Sequence, residues 1–225
     1  MRRGAQRGLA RGRRGRAAAA PPRAGTRARL VQAACELLEA GGYGAASVQA
    51  IADRAGVAAG ALYRHFPSKA ELVVEVFRDA AKRDLVAMRD AAFSGGCAER
   101  LEAAVATFAG RALSNRRLAW ALVYEPVDPL VDAERLVSRR EYCRHMAALL
   151  RAGIAAGEFP EQDVELSAAA LVGAIAEALV GPLSPIAGRV ASKRDVIAPL
   201  VRFCRRSVGA PDRAALRGAG SVRRS

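Results

Sequence analysis

From Thr26 onward the chain repeats its apolar side chains at intervals of three and four, and no segment sustains the two-residue alternation of a strand. Leu30, Val31, Ala34, Leu37 and Leu38 share one side of a helix predicted over Thr26 to Ala40, which Gly41-Gly42 stops. A short second helix starts at Ser47 as N-cap and ends before Gly56, and a third is predicted over 58–65. Ser68-Lys69-Ala70-Glu71 has the form of a capping box, in which hydroxyl and carboxylate satisfy backbone N–H groups at a helix start. The long helix behind it carries Leu72, Val73, Val76, Phe77 and Ala80 on one side. Further helical periodicity covers Glu99 to Leu113, Arg116 to Glu125 (interrupted by Pro126 and Pro129), Val131 to Ala156, Asp163 to Val180 and Ser192 to Ser207. The pattern predicts an all-α protein.

Residues 47–66 carry more than periodicity. A helix-turn-helix requires a small residue where its helices cross, a glycine able to take positive φ in the turn, and an apolar residue that buries the second helix. Ala52, Gly56 and Leu62 meet these needs at offsets of four and six. The string Leu62-Tyr63-Arg64-His65-Phe66-Pro67-Ser68-Lys69 follows directly. On these residues the chain resembles the TetR family of one-component transcriptional regulators, over residues 24–84.

That resemblance implies an N-terminal three-helix helix-turn-helix DNA-binding domain over 24–84 and a larger helical domain for ligand binding and dimerisation over 85–208. The last two long helices would pair with their symmetry mates in a four-helix bundle, which suits the Ala-rich face of the 163–180 segment. Two recognition helices held one DNA turn apart imply a homodimer on a palindromic double-stranded operator. Release by a small-molecule effector, as from a repressor, is the implied mechanism. The alternative is a constitutive or redox-responsive DNA-binding protein without an effector.

The implied DNA contacts fall on specific positions. Ser47 is placed to give its hydroxyl or backbone N–H to a phosphate, and is equally an ordinary N-cap. Tyr63 and His65 match the family's phosphate-contacting pair and Lys69 its phosphate clamp, whereas Leu62 and Phe66 read as core. The start of the recognition helix holds Ala58, Ala59, Gly60 and Ala61, which offer thymine-methyl contact and close backbone approach but no bidentate hydrogen bond. Direct base readout is therefore expected from Gln49, Arg54 and Arg64, with Arg54 equally readable as a solvated charge. Part of the specificity is expected from DNA shape. For the effector, Phe108, Trp120, Tyr124, Tyr142 and Met146 concentrate large adaptable side chains in the middle helices, with Glu125, Arg144 and His145 as polar anchors. They favour an apolar or aromatic ligand, though such residues also build ordinary cores.

Composition narrows this picture. The 225 residues are 52% hydrophobic and 26% charged, ample for a buried core. The formal charge of +14 lies at the two ends: residues 1–29 carry +10 and residues 202–225 carry +6, leaving −2 for the middle. Residues 1–23 and 209–225 are expected to be disordered basic tails, either phosphate-grasping arms or merely solvated. The arginine pairs near the start are not followed by an apolar targeting segment. The longest charge-free apolar stretch, Leu166 to Ala176, is about half of what spans a bilayer. A cytoplasmic protein with no membrane partner is expected. Cys35, Cys97, Cys143 and Cys204 match no metal or CxxC spacing and read as buried thiols or, alternatively, redox sensors. With two histidines and no nucleophile-elbow, zincin, P-loop or dinucleotide motif, no enzyme, metal site or cofactor is expected.

Overall fold

The computed structural model describes residues 25–125, 127–186 and 192–210, which form nine helices and no strand. The expectations for the tail at 1–23, for Pro126 and for 211–225 of the tail expected over 209–225 lie outside the described residues, while Ala210 at the start of that second tail is buried. α1 (Thr26–Ala45) breaks where the sequence stops it: Gly42 leaves helical geometry at φ +74°, and one further turn follows the kink. In α2 (Val48–Ala55), the Ser47 hydroxyl accepts from the Ala50 N–H at 3.1 Å. Gly56 ends α2 at φ +64°, its N–H on the Asp53 carbonyl while the Val57 N–H returns to that of Ala52. This is the left-handed cap for which glycine carries no Cβ penalty.

α3 (Gly60–His65) begins two residues later than expected. Ala58 and Ala59 form its entry turn, and neither has a side-chain oxygen with which to cap an earlier start. α4 (Lys69–Ala91) starts at Ser68, whose hydroxyl accepts from the Glu71 N–H at 3.2 Å. α5 (Cys97–Ser114), α6 (Arg116–Val123), α7 (Pro129–Ala155), α8 (Val164–Leu183) and α9 (Lys193–Ser207) follow. Asn115, Asp128, Asp163 and Ser192 cap the last four of these with side-chain oxygens. α8 carries on past Val180, the end of the expected segment, through Gly181-Pro182. Pro182 sits in the last turn, where it removes one N–H bond to the Ala178 carbonyl, and Leu183 beyond it is still buried.

Two apolar cores organise these helices. The first gathers Leu30, Leu38, Ile51, Leu62, Phe66, Leu72 and Val76 of α1–α4 around Leu118 and Leu122 of α6 and Val131 of α7. The second gathers Met88, Leu101, Val105, Met146, Leu150, Leu171, Ile175 and Leu200. α4 is continuous through both, with Ala81 in the first core and Met88 in the second, so the division expected at residue 84 falls inside one helix. α6, expected to belong with the effector half, lies against α1 and contributes its leucines to the DNA-side core.

By length and composition α8 is apolar enough to cross a membrane, more so than its charge-free stretch of Leu166 to Ala176 suggests. Here it packs against α7 as a core helix, burying Ala168, Leu171, Ile175, Leu179 and Leu183. Its outward side, with Leu166 67% exposed beside Ala169 and Ala170, is covered by none of the described residues.

Candidate nucleic-acid interface and effector cavity

The helix-turn-helix assembles as the spacing suggests: Ala52 and Leu62 are fully buried and Gly56 turns the chain between them. Burial of Ile51, Ala52, Ala55, Ala61 and Leu62 leaves Ser47, Gln49, Arg54, Ala58, Gly60, Tyr63, Arg64 and His65 exposed. Tyr63 is the most telling, because a phenol 59% exposed on a six-residue helix serves no core. Ala59 is half-buried. Gln49 donates to Asp53 at 2.8 Å and Arg54 pairs with Glu36 at 2.9 Å, so both must exchange a partner before reaching a base.

Lys69 behaves differently from Tyr63 and His65. It is half-buried, its ammonium donates to the Tyr43 carbonyl at 3.0 Å, and it stands 3.7 Å from the centre of the Tyr43 ring. Burial holds its pKa below the ordinary lysine value. The structure places Lys69 under the α1–α2 connection rather than on the exposed face.

Two adjoining cavities lie between the cores, of about 330 and 540 Å³, sharing walls at Phe77, Phe108, Tyr124, Tyr142 and Ala176. Phe108 and Tyr142 meet edge to face at 5.2 Å. The Tyr124 hydroxyl donates to the Ala176 carbonyl, and burial pushes its phenol up to about 12. Burial raises the Tyr142 phenol as well. Met146 lines the smaller cavity, as does Arg139, beside which the exposed Glu177 also lies on the wall. Such a chamber accepts an apolar body and meets charge at its rim.

Not every expected effector residue reaches it. Trp120 lines neither cavity; it tilts against Tyr124 at 5.2 Å, on the rim of the second core. His145 sits in a separate outer groove with Arg89, Arg100 and Phe93, because α7 turns it away from Tyr142 and Met146. Burial first, then Arg89 and Arg100, push its pKa down. Arg144 pairs with Glu141, and Glu125 accepts from the Tyr43 N–H and from Arg117. Neither is a cavity anchor.

The periodicity missed Phe77, Met88, Arg135, Ser138, Arg139 and Val172 as wall residues. Their spacing equals that of core positions, and only the separation of α4, α7 and α8 tells a wall from a core. Among the described residues no cluster of His, Cys, Asp or Glu is suited to a metal ion.

Comparison with known proteins agrees with this geometry. The family model for bacterial regulatory proteins of the tetR family matches residues 30–76, and that for the tetracyclin repressor-like C-terminal domain matches residues 94–179. The HTH-type transcriptional repressor KstR2 of Rhodococcus jostii is 31% identical over 150 residues, covering 64% of this chain and 74% of that protein. A tetR-family regulatory protein from Rhodococcus RHA1 superposes with a TM-score of 0.66 at 27% identity, over 83% of this chain and 98% of the other. The Bacillus subtilis regulator FadR, solved in complex with stearoyl-CoA, superposes with a TM-score of 0.65 at 23% identity, over 77% and 97% of the two chains. The exposed helix-turn-helix, the all-helical body and both family matches lead to one conclusion: the chain belongs to the TetR family and is a DNA-binding transcriptional regulator.

Proposed function

We propose that the protein is a ligand-released repressor that grips a palindromic operator as a homodimer. What carries the reading is that the cavity walls come from both cores: Phe77 of α4 belongs to the core that supports α2 and α3, while Phe108, Met146 and Ile175 belong to the other. A ligand seated there touches the helix that holds the DNA-reading face, so it has a physical route to prefer one arrangement over the other. In this reading Tyr63 and His65 contact phosphates, Ser47 offers its helix N-terminus to another, and Arg64, Gln49 and Arg54 read base edges. Ala58, Ala59 and Gly60 approach the groove closely. Lys69 serves the face by fixing Tyr43 beneath it rather than by holding a phosphate.

The outward side of α8, with Leu166, Ala169, Ala170 and Ala178, and Phe203 of α9 form the dimer surface. Small side chains permit close helix approach, and an apolar strip of this kind is rarely left to solvent. The effector has an apolar or aromatic body, with an anionic end met by Arg139. The Bacillus subtilis regulator FadR, of the same fold and solved with stearoyl-CoA, is consistent with that class, and the relative named as a repressor is consistent with repression.

Operator selection followed by footprinting tests the reading. A discrete palindrome, protected by wild-type protein and lost when Ala170→Glu places a charge in the α8 strip and yields monomers on size-exclusion chromatography, is the expected result. Uniform coverage of any DNA sinks it. Displacement from that operator by an acyl-CoA series, but not by free coenzyme A, is expected; no displacement by any apolar ligand returns the protein to a constitutive binder.

A further inference from the structure

We infer that Arg135 is the positioning residue through which the cavity reports to the DNA-reading helices, acting through Glu125 and Arg117 on the Gly41–Tyr43 turn. The inference rests on the ligand-released reading above and names its regulation. Arg135 projects from α7 into the wall of the smaller cavity. Its guanidinium donates to the carbonyls of Leu122 at 2.6 Å, Glu125 at 2.8 Å and Ala121 at 3.3 Å, and to the Asp132 carboxylate at 2.6 Å. The carbonyls at the end of a helix have no partner within the helix, so this one side chain holds the C-terminus of α6.

The next residues face the other way. The Glu125 carboxylate accepts from the Tyr43 N–H at 2.8 Å and from Arg117 at 3.2 Å, and Arg117 also donates to the Gly41 carbonyl at 2.7 Å. Between them Gly42 stands at φ +74°, where a Cβ would lie 2.2 Å from Arg117 Nη2 and 2.7 Å from Glu125 Oε1. The turn is thus pressed against the ion pair with no spare room. From its far side Lys69, at the start of α4, holds the Tyr43 carbonyl. Four residues on, Ser47 opens α2.

A continuous chain of contacts therefore runs from the cavity wall to the first helix of the DNA-reading pair. α6 is suited to carry it because its leucines are set in the core that includes α1 and α2. A ligand that fills the smaller cavity and draws the Arg135 guanidinium toward itself removes the clamp on α6. The grip of Glu125 on the turn then loosens.

The test combines operator binding with amide exchange at Tyr43. Arg135→Met and Glu125→Gln are each expected to weaken operator binding about tenfold and to speed Tyr43 exchange by a similar factor, in the usual range for coupling between sites. Combined, the two should do no more than either alone, because they break one chain of contacts. Arg135→Lys should behave like the Met variant, since an ammonium cannot span three carbonyls in the fixed geometry of a guanidinium. Arg139→Met, at the same cavity, should leave Tyr43 exchange unchanged.

Wild-type exchange at Tyr43 in Arg135→Met overturns the inference, as do effects of the two substitutions that multiply. Equal acceleration at Leu101 and Leu150 in the second core also overturns it, by showing Arg135 to be general support. Exchange is measured without DNA, so it decides the clamp even if no operator is found, an outcome that would count against the repressor reading instead.

Discussion

The two cores of this molecule are built by different rules. Around α1–α3, elements of eight and six residues are far too short to be stable alone, so each must be held by a few large side chains in fixed places. Leu30, Leu38, Ile51 and Leu62 are all completely buried or nearly so, and the surface left over is a small polar face. Around α5, α7, α8 and α9, helices of 15 to 27 residues pack through many alanines, and cavities open where α5, α7 and α8 meet α4 and α6. In the first core nearly every residue has one possible role. In the second, the same residue type serves as core, cavity wall or uncovered surface, and placement alone decides which.

The largest test of that contrast is truncation at one position in each core. Leu62→Ala removes a fully buried side chain from a helix with few other anchors and is expected to cost about 3–5 kcal/mol, the upper part of the range for such changes. Leu179→Ala, equally buried but at a wall of the larger cavity, already has unfilled space beside it, so about 2 kcal/mol is expected. Urea unfolding followed by circular dichroism measures both. Equal losses would mean that the cavity side is as tightly built as the DNA side.

How much the sequence revealed follows the same division. Ala52, Gly56 and Leu62 stood out because a helix-turn-helix admits few residues at each of those offsets, and the structure places all three as their chemistry requires. The exposure of Tyr63 and His65 followed from the same register. Lys69 was half legible: its position in the motif was clear, but not that it turns inward to Tyr43, a partner 26 residues earlier. Trp120 and His145 were misplaced because helical spacing gives a direction around one axis and says nothing of which neighbouring helix lies there. Arg135 gave no signal at all, since a cation in Glu134-Arg135-Leu136 reads as a solvated charge until the end of α6 is found beside it.

Gly42→Ala probes the junction between the two cores. The left-handed backbone and the close approach of the Arg117 guanidinium both oppose a side chain, and a loss of about 1–3 kcal/mol is expected. Gly44→Ala, two residues on with open space around its Cβ position, provides the comparison and should change stability by under about 1 kcal/mol. If the two variants melt together, the turn is not pressed against the Arg117–Glu125 pair.

A smaller effect is expected inside the cavity wall. Tyr124→Phe removes the hydroxyl that donates to the Ala176 carbonyl, at a cost of about 1 kcal/mol. The substitution should also change the alkaline limb of stability. The phenol titrates near 10 when unfolded and at about 12 in the fold, so between those values the folded chain keeps a proton that the unfolded chain releases. Wild-type stability therefore falls as pH rises from 10 to 12, and the Phe variant should lose less over that interval. Parallel curves would show that Tyr124 is not the buried donor described here.

The smallest expected effect concerns the alternative of redox control, and it separates the two cores by what neither contains. Cys35 borders the larger cavity and Cys204 lies in the second core; burial pushes each thiol up to about 11. Cys97 and Cys143 are raised as well, again chiefly by burial. At pH 8 a thiol titrating near 11 is about one part in a thousand thiolate, and the thiolate is the species that oxidants and alkylating agents attack. A redox sensor needs the opposite, a thiol lowered by nearby positive charge and open to solvent. Iodoacetamide at pH 8 should therefore modify Cys35 and Cys204 at least tenfold more slowly than a free thiol, and mild peroxide treatment should leave operator binding unchanged. Rapid modification of Cys35 together with loss of binding would move the sensing chemistry from the cavity's apolar walls to its thiol.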